Sequence, residues 1–342
     1  MIETELTRRL GIRVPIVQGG MQWVGVPQLV AAVANAGALG FLTALTQPNP
    51  EALKQAILDT RALTDKPFGV NITILPSVKS HDHEAYVRAA YEEGVRIFET
   101  AGSAPGKLVK FLKERDCFVI HKCTTIRHAK AACKLGVDIL SIDGFECAGF
   151  PGEDDIGGLV LLAKAAKELK VPYIASGGIA DGRGLAAVLA LGAVGANMGT
   201  RFMCTVESPI HQNIKNQIVS ASELNTTHLY RTLHNTNRVF NNKVAKQVLA
   251  IESQPRSGGK GVTFEDVKDL VTGDRGRVVY EIGDVDYGVW TVGLSIGLID
   301  DIPTCEELVR RMEREAEEVI RGIGNLVKSV PAQERVKVKA KL

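Results

Sequence analysis

Residues 172–202, PYIASGGIADGRGLAAVLALGAVGANMGTRF, constrain the fold more than any other stretch of the chain. A short apolar run, Pro172 to Ala175, ends in Ser176-Gly177-Gly178, and a second run, Ala193 to Met198, ends in Gly199-Thr200. Between them the spacing predicts a helix beginning near Gly182. Asp181 is its N-cap, Leu185, Val188, Leu189 and Leu191 give it an apolar face, and Gly192 is its stop. Strand, turn, helix, strand, turn places both glycine turns at the same end of a parallel pair. Backbone N–H groups exposed there, with glycine permitting close approach, make a cradle for a phosphate. In a (βα)8 barrel that site belongs to the ends of strands seven and eight. The plainer alternative is an ordinary βαβ unit with turn glycines.

The same rhythm runs through the preceding residues. Strands are expected at 14–18, 39–42, 68–72, 95–100, 117–121 and 138–142. Helices are expected at 28–36, 50–63, 84–93, 106–115, 126–135 and 159–169. Eight strands, each followed by a helix or a long connection, predict an α/β fold, a (βα)8 barrel. After Phe202 the alternation stops. Residues 208–284 read as a mainly helical insertion covering the C-terminal mouth, with a Ser/Gly/Lys-rich linker at Gln254 to Gly261. The barrel therefore comprises 1–207 and 285–342. Tyr287 to Ile299 is expected to return to the mouth, Pro303 to Val327 to form an amphipathic outer helix, and VKVKAKL to end the chain as a disordered basic tail.

Composition narrows the function. A net charge of +2 gives neither sign dominance, which argues against a nucleic acid or an anionic membrane as partner. No apolar run reaches membrane-spanning length, and MIETELTRRLGI lacks the apolar core of a signal peptide. The six cysteines form no CxxC pair, which suits reduced thiols and a cytoplasmic setting better than disulfides or zinc. An oligomer is compatible with the sequence.

A barrel gathers every strand end at one mouth, here Gly20-Met21, Asn71, Lys122, Asp143, Ser176 to Gly178 and Gly199-Thr200. Lys122 is the informative residue. A lysine facing such a pocket hydrogen-bonds the N1–C2 edge of an isoalloxazine and stabilises negative charge on it. The structural alternatives are an ion pair with Asp143 and, for Asn71, a loop-capping amide.

An ordered set of motifs goes further: QGGMQWVG (18–25), ALTQP (44–48), PFGVN (67–71), ETAG (99–102), HKCT (121–124), SIDGFECAG (141–149), PGEDD (151–155), ASGGIADGRG (175–184), NMGTRF (197–202) and GLIDD (297–301). Over nearly its full length the chain resembles the FMN-dependent nitronate monooxygenase (2-nitropropane dioxygenase) superfamily, and within it the bacterial NADH:quinone reductase class. The resemblance implies FMN in the barrel mouth, its phosphate on Ser176, Gly177, Gly178, Gly199 and Thr200. Gly20, Met21, Asn71, Lys122, Asp143, Ala148 and Gly149 would place the ring and ribityl chain. It implies a gate at 76–80, including Pro76, Val78 and Ser80. It also implies ping-pong chemistry in which NADH reduces the flavin and a quinone reoxidises it.

One position departs from the pattern. Most relatives carry histidine in ECAG-x-PG, and in nitronate-oxidising members it is the general base; here it is Phe150. Phenylalanine accepts no proton, which weighs against nitronate oxidation and leaves the ring free to stack on a nicotinamide or quinone, or simply to plug the pocket. The expectation is an NADH:quinone reductase. The rivals are a nitronate monooxygenase, a flavin-dependent enoyl-thioester reductase, and a flavin-binding barrel without turnover. His121 is expected to point away from the pocket, because Lys122 points in. His81 and His83 are weak as metal ligands, Glu153 to Asp155 read as helix N-terminal charge, and Arg231, Asn235, Asn237 and Arg238 as a solvated polar helix. Trp23 and Trp290 read as packing residues, and nothing in the sequence activates Cys147.

Overall fold

A computed structural model describes residues 1–74, 81–103, 105–254 and 262–327. The expected linker, the 76–80 gate and the basic tail fall wholly or mostly outside them. Eight parallel strands close into a barrel in chain order: β1 (Ile16–Gln18), β2 (Leu39–Thr43), β3 (Phe68–Ile74), β4 (Ile97–Gly102), β5 (Phe118–Cys123), β6 (Ile139–Asp143), β7 (Tyr173–Ser176) and β8 (Ala196–Met198). β8 pairs with β1, with Val17 opposite Asn197. The strands sit up to three residues from their expected bounds, β8 starting at Ala196 instead of Ala193, and β5 runs through Lys122 instead of stopping before it.

A short helix, α1 (Glu5–Leu10), closes the N-terminal end of the barrel. Thr4 caps it, and Gly11 ends it with φ +65°, a conformation that favours glycine. Its Leu6 and Leu10 pack with Val17, Leu39, Phe41, Ile120, Ile139 and Ile174, the inward side chains of the lower barrel. Each such burial stabilises by roughly 1.5–3 kcal/mol.

Outside the strands lie α2 (Pro27–Asn35), α3 (Pro50–Leu63), α4 (His83–Glu92), α5 (Gly106–Lys113), α6 (Ile126–Lys134), α7 (Gly158–Glu168) and α8 (Gly182–Ala190). Asp181 caps α8 as expected, accepting from Gly184 N at 2.8 Å. After the short α9 (Thr200–Met203) comes the insertion: α10 (Gln212–Val219), β9 (Thr226–Leu229), β10 (Asn237–Phe240), α11 (Lys243–Glu252) and α12 (Gly273–Ile282). α13 (Cys305–Gly324) then packs against α8.

The stretch expected as a solvated polar helix is a turn and a strand. β10 pairs antiparallel with β9, and Arg238 is buried. Its Arg231, Thr236 and Arg238 side chains find partners across the hairpin and on the barrel, which a solvated helix would not give them. The six cysteines are free. Among the described residues no helix is long and apolar enough to cross a membrane, and no cluster suits a metal ion.

Candidate active site

Strand alternation builds the mouth. On β5, Ile120 points into the floor, so Lys122 points into the barrel one step higher, while His121 faces the helix layer. There its Nδ1 lies 2.8 Å from Thr100 Oγ1. Burial pushes the His121 pKa down to about 4, so the ring is neutral. His121 turns from the barrel axis as alternation predicts, yet it still lines the cavity where that extends over the end of β5.

Above the apolar floor lies a connected polar layer. Glu99, fully buried on β4, accepts from Gly20 N at 2.9 Å, Asn71 Nδ2 at 2.7 Å and Asn197 Nδ2 at 2.9 Å. Asn197 Nδ2 also reaches Ser141 Oγ at 3.2 Å, and Lys122 Nζ lies 3.4 Å from Asp143 Oδ1. Burial opposes the lysine's charge, but the carboxylates of Asp143 and Glu99 outweigh it and hold the ammonium protonated, its pKa above the usual range. The structural alternative for Lys122, the pair with Asp143, is thus present. The side chain is still 22% exposed, and it lines the cavity.

The cavity measures about 960 Å³ and gathers the residues expected from the sequence: Gly20, Met21, Asn71, Lys122, Asp143, Ala148, Gly149, Phe150, Ser176, Gly177, Gly178, Gly199 and Thr200. Pro76, Val78 and Ser80 lie outside the described residues. Gly177 and Gly178 hold φ +91° and +78°, and a Cβ on Gly177 would come within 2.8 Å of Cys147 N. Only glycine fits there without strain. Met21 stands over the second turn, its Sδ 3.4 Å from where a Gly199 Cβ would be. Burial raises the Cys147 thiol pKa far above its usual value, so it is inert.

The insertion is laced to the turn that carries Phe150. Gly149 and Arg238 exchange backbone hydrogen bonds of 3.1 and 2.6 Å. The Arg238 guanidinium lies 4.6 Å over the Phe145 ring and donates to Phe145 O at 2.9 Å. Glu153 accepts from Thr236 N and Oγ1, and Arg231 grips Asp155 with a fork of 3.1 and 3.0 Å. Glu153 and Asp155 therefore tie the insertion to the barrel and are not helix-terminal charges. Asn235 and Asn237 reach the cavity, and the returning segment adds Trp290 and Gly293. Trp290 stacks on Phe240 at 4.4 Å, a packing role as expected. Trp23 borders the cavity with φ +67°, a strained value for a bulky residue.

The sequence reading passed over Glu99, Asn197 and Ser141 as site residues. Their signal lay in parity, since each falls on the inward phase of its strand, Glu99 opposite Asn71, Ser141 opposite Lys122 and Asn197 opposite Ser176.

The mouth fits the FMN that the resemblance implies. The first glycine turn, whose backbone a Cβ would crowd, and the second turn open on one cavity and suit a phosphate, and a charged lysine lies farther into the same cavity. The fold and site define a (βα)8 barrel oxidoreductase. The chain belongs to the nitronate monooxygenase family, whose model matches residues 3–315. It is 32% identical to a (3aS,4S,5R,7aS)-5-hydroxy-7a-methyl-1-oxo-octahydro-1H-indene-4-carboxyl-CoA dehydrogenase of Rhodococcus jostii, covering 95% of this chain and 99% of that protein. It is 29% identical to a nitronate monooxygenase of Paraburkholderia phytofirmans, covering 91% and 94%. Among solved structures, FabK from Thermotoga maritima superposes with a TM-score of 0.88 at 33% identity, over 96% of this chain and 100% of that one.

Proposed function

We propose that the protein binds FMN and carries out hydride exchange with an acyl thioester of coenzyme A at the barrel mouth, with NADH as the second substrate. Bound FMN supplies the ring that takes up and gives back the hydride. Ser176 to Gly178 and Gly199-Thr200 hold its phosphate, and Lys122 presents a fixed positive charge. Glu99 fixes the Gly20 loop and the Asn71 amide. The lid excludes water through its ties at Gly149, Glu153 and Asp155.

Position 150 carries the reading. A ring that accepts no proton replaces the family's base, inside a cavity at the top of the roughly 300–1,000 Å³ range of small-molecule sites. Such a cavity suits a cofactor together with a long substrate. The Rhodococcus relative, named for a coenzyme A thioester, supports the same class. A second reading, NADH:quinone reductase, draws on the 37% exposure of Phe150, a ring on which a flat acceptor stacks.

Anaerobic stopped-flow on the yellow protein separates them. Bleaching by NADH followed by faster reoxidation with an enoyl-CoA than with benzoquinone is the expected outcome. Reoxidation by benzoquinone alone selects the second reading, and bleaching by a nitronate but not by NADH overturns both. Colourless protein that takes up no FMN removes every flavin reading. Phe150→His is expected to raise nitronate oxidation more than thioester turnover.

A further inference from the structure

The cavity does not end above the polar layer. It continues over the end of β5 into a crevice between α5 and α6, lined by Pro105, His121, His128, Ala131, Ala132 and Leu135. His128, Ala131, Ala132 and Leu135 are spaced i, i+3, i+4 and i+7, so they form one face of α6. The two alanines leave that face open, and His128, Ala131 and Leu135 are exposed. Gly106, at the start of α5, meets Leu135 across the crevice, where an added Cβ would come within 3.8 Å.

The flanks of this crevice are basic. Lys107 follows on the first turn of α5. Arg127 and Lys134 lie beside the apolar face of α6, one turn either side of its middle. Lys110 and Lys130 are engaged by Glu114 and Glu168, whereas among the described residues Lys107, Arg127 and Lys134 make no ion pair. The Arg127 guanidinium lies 3.3 Å from His128 Nε2, which places it at the crevice edge.

We propose that this crevice is the coenzyme A subsite. The pantetheine arm lies along Pro105, Ala131, Ala132 and Leu135, with the thioester inward beside Phe150. The phosphorylated ADP end meets Lys107, Arg127 and Lys134. The assignment rests on the thioester reading above. An arm of amides and methylenes suits a narrow wall of small apolar residues, and a polyanionic end suits cations left without partners.

The test compares a crotonyl-CoA substrate with crotonyl-N-acetylcysteamine, which has the thioester but neither the long arm nor the phosphates. In the FMN-loaded protein, Arg127→Glu/Lys134→Glu is expected to raise KM for the CoA ester about tenfold relative to KM for the short ester, about 1.4 kcal/mol. The contrast should shrink at high salt. Ala131→Trp, which fills the crevice from an exposed position, is expected to shift the same ratio without the salt dependence. An unchanged ratio in both variants overturns the subsite, and so does a rise in KM for NADH in place of the CoA ester. Calorimetric binding of 3′,5′-ADP reads the phosphate end without turnover. Weakening by Arg127→Glu/Lys134→Glu supports the subsite even if no thioester is reduced, a result that by itself would remove only the thioester chemistry. Binding unaffected by the substitutions overturns the phosphate contacts.

Discussion

The floor and the mouth of the barrel are made by the same strands, one inward step apart. Ile120 lies in the floor and Lys122 in the mouth; Ile139 lies in the floor and Ser141 and Asp143 above it. That step is two residues, about 7 Å. Below it the inward side chains are apolar and sealed by α1. Above it the inward groups are polar except for Ala101, and Glu99 alone takes three hydrogen bonds. The lower layer needs only to fill space, and its contribution is stability. The upper layer buries charge, which weakens a fold unless each group is matched. Its retention marks the layer that serves the ligand.

The largest effect expected from this contrast is in the floor. Phe41 is fully buried there, its ring against Gly69. Phe41→Ala should cost about 3–5 kcal/mol in urea unfolding and leave KM nearly unchanged. A variant that keeps its unfolding midpoint but loses FMN would erase the distinction between the layers.

The next effect is in the mouth. Lys122→Met should lower turnover about a hundredfold, as loss of a preorganised charge does, and lower the midpoint potential of the bound flavin. It also strands the Asp143 carboxylate, so Lys122→Met/Asp143→Leu is the companion. Recovery of turnover in the double variant would show that the lysine serves only to offset Asp143.

The sequence made the barrel legible because its strands are short, apolar and closed by glycine turns, and these signals are local. It revealed most cavity residues for the same reason: Lys122, Asp143 and the two cradles stand at strand ends, whereas Asn71, expected at the end of its strand, lies in the middle of β3. Glu99 was hidden because a carboxylate inside IFETAG shows no sign of its partners, which come from β3, β8 and the turn after β1. The β9–β10 hairpin was hidden because NRVF is short and its stabilising contacts are long-range. Arg238 pairs with Gly149 and covers Phe145, some 90 residues away in sequence. Glu153 and Asp155 were misread for the same reason, since their partners, Thr236 and Arg231, lie in the insertion.

The finest contrast is between neighbours on one strand. Lys122 faces the mouth and stays charged; His121 faces the helices and stays neutral. In the unfolded chain an imidazole takes up its proton near pH 6.5, but in the fold burial pushes His121 down to about 4, against smaller opposing effects of Thr100 and Glu99. Between those values the unfolded state binds more protons, so stability falls as pH drops from 6.5 towards 4, by about 3 kcal/mol from this group. His228, pushed down to about 4 by burial and by Arg238 and Arg231, acts in the same direction, so the wild-type slope contains both. His121→Gln keeps a polar group able to meet Thr100 Oγ1 but does not titrate. It should be the less stable protein at pH 7, by about 1 kcal/mol, and lose less on acidification, so that the two unfolding curves cross at about pH 5.7. Curves that stay parallel across that range would mean that water in the α5–α6 crevice solvates the His121 ring, and that the outer face of β5 is as open as its inner face.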